Sequence, residues 1–198
     1  AIGQRSLKNI CLTYLAFSDA QLADKLVQTQ YHQATNMTDA LAALSAAVAA
    51  QLPCRDALLA AYDERWHQDG LVMDKWFVLQ ATSPAANVMR NVRQLLNHRS
   101  FTMSNPNRVR SLVGAFASAN PAAFHAKDGS GYKFLVEMLT DLNTRNPQVA
   151  ARMVEPLIRL KRYDEGRQAM MRQALEQLLE LDKLSGDLYE KITRALNA

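Results

Sequence analysis

The stretch SNPNRVRSLVGAFASANPAAF, residues 104–124, decides the fold. It holds two Asn-Pro pairs, Asn105-Pro106 and Asn120-Pro121, and a third, Asn146-Pro147, follows. Each pair reads as a helix start. The asparagine side chain can accept from the orphan N–H groups of the first turn. A proline at the first helical position gives up an N–H that has no intrahelical acceptor. Ser83-Pro84 is a fourth pair of this kind, and Pro53 fits the first turn of another helix. Between these marks the apolar residues recur at helical spacing.

Working outward, Leu7, Ile10, Cys11, Tyr14 and Leu15 trace one helical face. A second helix is expected after Ser18 as N-cap, and a third from Thr38. The fourth carries Leu58, Leu59, Tyr62 and Trp66 and is expected to close at Gly70. Met73, Trp76 and Phe77 mark a fifth, while Ser130 and Ser185 are expected to cap later helices. Pro156 falls inside the run Val149 to Lys161 and should kink it. No segment alternates as a strand does. The fold class expected is all-α, with stacked helix pairs forming an α-superhelix of the HEAT or armadillo kind; a compact bundle is the alternative. No linker divides residues 1–198, so one helical domain is expected.

Composition limits the function. Hydrophobic residues are 48% and charged residues 21% of the chain, as in folded soluble proteins. The longest apolar run, Ala40 to Ala50, is too short to span a bilayer, so no membrane partner is expected. The opening Ala1-Ile2-Gly3-Gln4-Arg5-Ser6 does not read as a signal peptide, and the chain reads as cut from a longer protein. Cys11 and Cys54 lie in apolar contexts and read as two buried free thiols, with a disulfide left open. Free thiols fit a reducing, cytoplasmic compartment. From Lys75 to Lys127 there is no acidic residue, while Arg90, Arg93, Arg99, Arg108 and Arg110 are present. This reads first as a solvated basic face. It carries few aromatics and no nucleic-acid motif, so nucleic acid ranks last among partners.

A self-contained active site is not legible. A hydrolytic zinc site needs closely spaced ligands such as His-Glu-x-x-His, and His32, His67, His98 and His125 form no such pair. Asp128-Gly129-Ser130-Gly131-Tyr132 lacks the spacing of a nucleophile elbow and reads as a turn opening a helix. Arg108 and Arg110 lie in the first turns after Pro106, and Gln148 and Arg152 share a helix face. The arginine guanidinium groups suit carboxylates, and interhelical salt bridges explain the arginines equally well.

Four motifs in order carry a resemblance: Ser104 to Phe116, Phe124 to Tyr132, Asn146 to Met153 with Leu160 to Asp164, and Leu184 to Ile192. They resemble the C-terminal region of the bacterial aminopeptidase N family, zinc enzymes that remove N-terminal residues from peptides. The resemblance implies a helical superhelix that packs over a catalytic domain of the same chain. It implies that the zinc ligands lie upstream, so this fragment has no catalytic residue, binds no metal and is inactive alone. It also implies that Arg110, Gln148 and Arg152 line the cavity and meet the C-terminal part of a peptide substrate. The alternative is a free-standing helical-repeat scaffold for a protein partner.

Overall fold

The computed structural model describes residues 2–197, so the two end residues of the expected 1–198 domain lie outside the description. The described residues form helices, turns and no strand: α1 (Ile2–Ser18), α2 (Ala20–Gln33), α3 (Met37–Ala49), α4 (Arg55–Trp66), α5 (Gly70–Ala81), α6 (Val88–Leu95) and α7 (Pro106–Val109). A π-turn, Arg110–Gly114, joins α7 to α8 (Ala115–Ala119). Then come α9 (Pro121–Phe124), α10 (Ser130–Arg145), α11 (Pro147–Met153), α12 (Glu155–Ile158), a 3-10 turn at Leu160–Arg162, α13 (Glu165–Leu179) and α14 (Gly186–Asn197). Packing runs mostly between neighbours. α1, α2 and α3 pack on one another, α5 meets α4, α6 and the π-turn, and α10 to α14 form a second group. One apolar cluster of buried residues runs from Leu12 to Ile192.

The Asn-Pro pairs behave as expected. Asn105 Oδ1 accepts from the N–H of Asn107 at 3.0 Å, and Asn146 Oδ1 from that of Val149 at 3.2 Å. Asn120 caps α9 through the Ala123 N–H. Its Nδ2 also donates to the carbonyls of Ala81 and Ser83, both at 3.0 Å. Pro53 lies two residues before α4.

Other expectations are corrected. Asp19, not Ser18, caps α2, since α1 continues through Ser18. Gly70 opens α5 behind the cap Asp69 and does not close α4, which ends at Trp66. Ser83-Pro84 starts no helix, since α6 begins at Val88. The Ser83 hydroxyl instead accepts from the N–H of Ala85 at 3.3 Å and from Gln51 Nε2 at 3.1 Å, in a buried turn. Pro156 breaks its run outright: α11 ends at Met153 and α12 starts at Glu155. Proline has no N–H for the carbonyl of Arg152, so the ladder stops there. Cys11 is exposed, against the expectation of two buried thiols, while Cys54 is buried and both are free. Burial is the main reason the Cys54 thiol is pushed up to about 12, and the nearby Asp24 carboxylate adds to it.

The Asp128–Tyr132 segment is structural. Asp128 Oδ1 accepts from the N–H of Ser130 at 3.0 Å, so the aspartate does the work expected of the serine. Gly129 has φ +68°, a left-handed conformation that costs other residues. A Cβ at Gly131 would stand 2.1 Å from the carbonyl oxygen of Phe124, so α10 approaches α9 as closely as only glycine permits. Tyr132 then places its hydroxyl 2.8 Å from His125 Nδ1. Phe116 packs edge-to-face on Phe134 and Phe124, at 5.6 and 6.0 Å between centroids. Ser185 immediately precedes α14, but its N–H is held by Asn143 Oδ1 at 2.9 Å and its hydroxyl has no hydrogen-bond partner among the described residues.

Candidate functional site

Two arginines that sequence alone treats alike, Arg108 in α7 and Arg110 at the start of the π-turn, are placed differently. Arg108 is buried at 5% exposure, and its guanidinium is held by structure although Nε and Nη1 make no hydrogen bond among the described residues. Its Nη1 lies 3.0 Å from Asp74 Oδ1 and its Nη2 donates to the Gly70 carbonyl at 3.2 Å. Its guanidinium lies 5.2 Å from the centroid of the Phe77 ring. A guanidinium so enclosed ties α7 to α5 and is unavailable to a ligand. Arg110 is exposed, and its Nη1 donates to Asn107 Oδ1 at 2.9 Å.

Gln148 and Arg152 come together as their four-residue spacing requires. Both are exposed on α11 and line one depression of about 490 Å³. Its other walls are Ala151 and, on α14, Asp187, Glu190, Lys191 and Arg194. Arg110 is not part of that lining. It stands nearby all the same: the space a Cβ would take at Gly114 is 3.7 Å from Arg110 Cβ and 3.8 Å from Met153 Sδ. Two of the three expected residues therefore share a site, and the third lies beside the neighbouring end of α11.

Lys191 builds the depression. Its Nζ donates to the Ala151 carbonyl at 2.7 Å and to Glu155 Oε1 at 2.8 Å. The ammonium thus sits where Pro156 has interrupted the helix, and it fixes α14 against α11. The α14 residues of this site lie about forty positions from α11, and sequence spacing offers no signal for them.

The histidines do not assemble. His125 is buried, stacked on Tyr163 with centroids 4.0 Å apart, and Arg167 Nε donates to its carbonyl at 2.7 Å. Burial, aided by the Arg167 charge, holds its imidazole below the usual 6.5. His98 lies 3.3 Å from Asp63 and 4.9 Å from the Trp76 ring. Among the described residues no three His, Cys, Asp or Glu side chains converge to hold a metal ion. The donor set here does not fit a zinc centre.

At the other end of the chain α1 and α2 turn large apolar side chains outward: Ile2, Leu7, Ile10, Tyr14, Phe17, Leu22 and Leu26. Only three other large apolar residues are exposed among those described, Leu71, Val78 and Tyr189.

Residues 1–197 match the family described as a domain of unknown function, DUF3458_C, with ARM repeats. The chain is 75% identical over 195 residues to aminopeptidase N of Escherichia coli K12, and 55% identical over 195 residues to aminopeptidase N of Haemophilus influenzae. Each match covers 98% of this chain and 22% of the relative. A solved structure of Legionella pneumophila aminopeptidase A in complex with aspartic acid superposes with a TM-score of 0.91 at 32% identity, over 98% of this chain and 23% of that one. The chain therefore spans less than a quarter of the length of the relatives it matches.

Proposed function

This chain belongs to the DUF3458_C family of ARM-repeat domains and matches the C-terminal part of aminopeptidase N, and from that premise we propose that it is one domain, residues 1–198, of a peptide-trimming enzyme. In this reading it packs over the catalytic domain of the same polypeptide and lines the cavity that receives peptides. The zinc and the groups that cut the bond belong to the remaining polypeptide, and the fragment alone is inactive. The enzyme works in the cytoplasm. The observation that carries the reading is the match along nearly the whole chain to a small share of a much longer peptidase. The apolar ridge of α1 and α2 agrees with it, because several adjoining apolar side chains left in water mark an interaction surface. Among the described residues no helix is long and apolar enough to cross a membrane.

Arg110, Gln148 and Arg152 position the far end of the substrate. A guanidinium in a partly dehydrated cavity holds a carboxylate more strongly than it does in bulk water. It takes no part in bond cleavage and acts by orienting the peptide. In the full-length enzyme Arg152→Ala should lower kcat/KM for short peptides roughly tenfold or more, the worth of a charge-assisted hydrogen bond. Small aminoacyl amides, which lack a terminal carboxylate, should be unaffected. Equal losses for both substrate classes with a lowered melting temperature would make Arg152 a structural residue and end this assignment.

A further inference from the structure

We propose that the depression between α11 and α14 reads the last residue of the peptide and prefers a lysine or arginine there: Gln148 and Arg152 take the terminal carboxylate, and Asp187 and Glu190 take the cationic side chain. The inference rests on the reading that this surface faces the substrate cavity, and it adds a substrate class to it.

The geometry comes from one face of α14. Asp187, Glu190, Lys191 and Arg194 recur at intervals of three and four, so they stand together on the helix. All four line the depression with Gln148 and Arg152. Lys191 is consumed by Ala151 and Glu155. The remaining charges are free: among the described residues Arg152, Asp187, Glu190 and Arg194 make no ion pair or side-chain hydrogen bond. That is not what their spacing favours. Glu190 precedes Arg194 by four residues, the favourable order for a helical ion pair. Asp141 and Arg145 have the same spacing and pair at 2.7 Å.

Two acids and two arginines that do not neutralise each other form a two-sign surface. Its complement is a group that carries a carboxylate and a cation a few ångströms apart, and a C-terminal lysine or arginine residue is such a group. A C-terminal glutamate would set its side chain against Asp187 and Glu190, and like charges at close range discriminate against it. Arg194 adds a second guanidinium for the main-chain carboxylate. In the open depression these pairs are weak. They strengthen once the rest of the enzyme closes over them.

The test uses the full-length enzyme and three tripeptides, Ala-Ala-Lys, Ala-Ala-Ala and Ala-Ala-Glu, with alanyl p-nitroanilide as the small substrate. The unaltered enzyme should give the highest kcat/KM with the lysine peptide and the lowest with the glutamate peptide. The double change Asp187→Asn with Glu190→Gln should reduce the lysine-over-alanine ratio about tenfold. Glu190→Lys, an exposed single change, should move the preference towards the glutamate peptide, and it decides the matter if the double variant melts early. A flat wild-type series, or a preference untouched by both variants, overturns the inference. The cavity reading and the C-terminal selectivity fail differently. If Arg152→Ala leaves every peptide unaffected, the cavity reading falls and takes this inference with it. If Arg152→Ala acts on all three peptides alike and the α14 variants do nothing, only the selectivity falls.

Discussion

The two ends of the molecule use apolar residues in opposite ways. In α10 to α14 the large apolar side chains are spent inside: Phe134, Leu135, Leu139, Leu142, Leu175, Leu178, Leu188 and Ile192 have no accessible surface. In α1 only Leu12 and Ala16 are buried, while Ile10 and Tyr14 are 54% and 73% exposed. Both regions show apolar residues at helical spacing in the sequence. An apolar stripe says that a surface belongs against something. It does not say whether that something is a neighbouring helix or a separate surface.

The two ends should differ most when one large apolar side chain is truncated in each. Leu139→Ala removes a fully buried side chain from the α10 group and should cost about 2–5 kcal/mol in urea unfolding. A cost under 1 kcal/mol would mean that the C-terminal group is no better packed than the ridge.

Asn120→Ala probes the middle of the chain. It removes the cap of α9 and strands the carbonyls of Ala81 and Ser83. The expected loss is about 2 kcal/mol, and a hydrogen–deuterium exchange map should show the Ser83 turn opening with it. An unchanged exchange pattern there would separate the cap from the tertiary bond.

Acid should weaken both ends, by different groups. In the C-terminal half burial and Arg167 lower the His125 pKa below 6.5. The unfolded chain therefore binds more protons just below pH 6.5, and stability falls as pH drops through that point. At the N-terminal end the main causes are hydrogen bonds. The Asp39 carboxylate is lowered chiefly by Lys8, and that of Asp24 by Cys54. Their contribution is lost only as pH falls below the usual carboxylate range near 3.8. Melting curves between pH 7.5 and 5.5 should fall in the native chain and flatten in His125→Gln. A slope unchanged by that substitution would assign the acid sensitivity elsewhere.

The smallest expected effect is the counterpart of the first. Tyr14→Ser on the exposed face of α1 should change the stability of the 198-residue chain by no more than about 0.5 kcal/mol. On the proposed packing of the ridge against the rest of the enzyme, the same change in the full-length protein should lower its melting temperature. No change in either setting would leave the ridge as ordinary surface.

Local chemistry was legible from residue order. Asn105, Asn120 and Asn146 cap the helices they precede, because a cap bond joins a side chain to an N–H two or three residues away. The all-helical class follows from the same short range, since helical periodicity is a property of neighbours. The sequence also brought Gln148 and Arg152 to one face, as four residues make one turn.

What the sequence could not decide are the matters settled by distant partners. Ser83-Pro84 has the same local form as the capping pairs, yet Gln51 and Asn120 claim its serine for a buried turn. Arg108 and Arg110 lie two residues apart, and only the packing of α7 on α5 sends one to Asp74 and leaves the other in water. The α14 wall of the depression is brought to α11 by Lys191 across forty residues. Burial and long-range pairing depend on which surfaces the folded chain brings together, and residue order specifies those only through the whole fold. Local hydrogen bonds need just one turn of chain, and so they can be read directly.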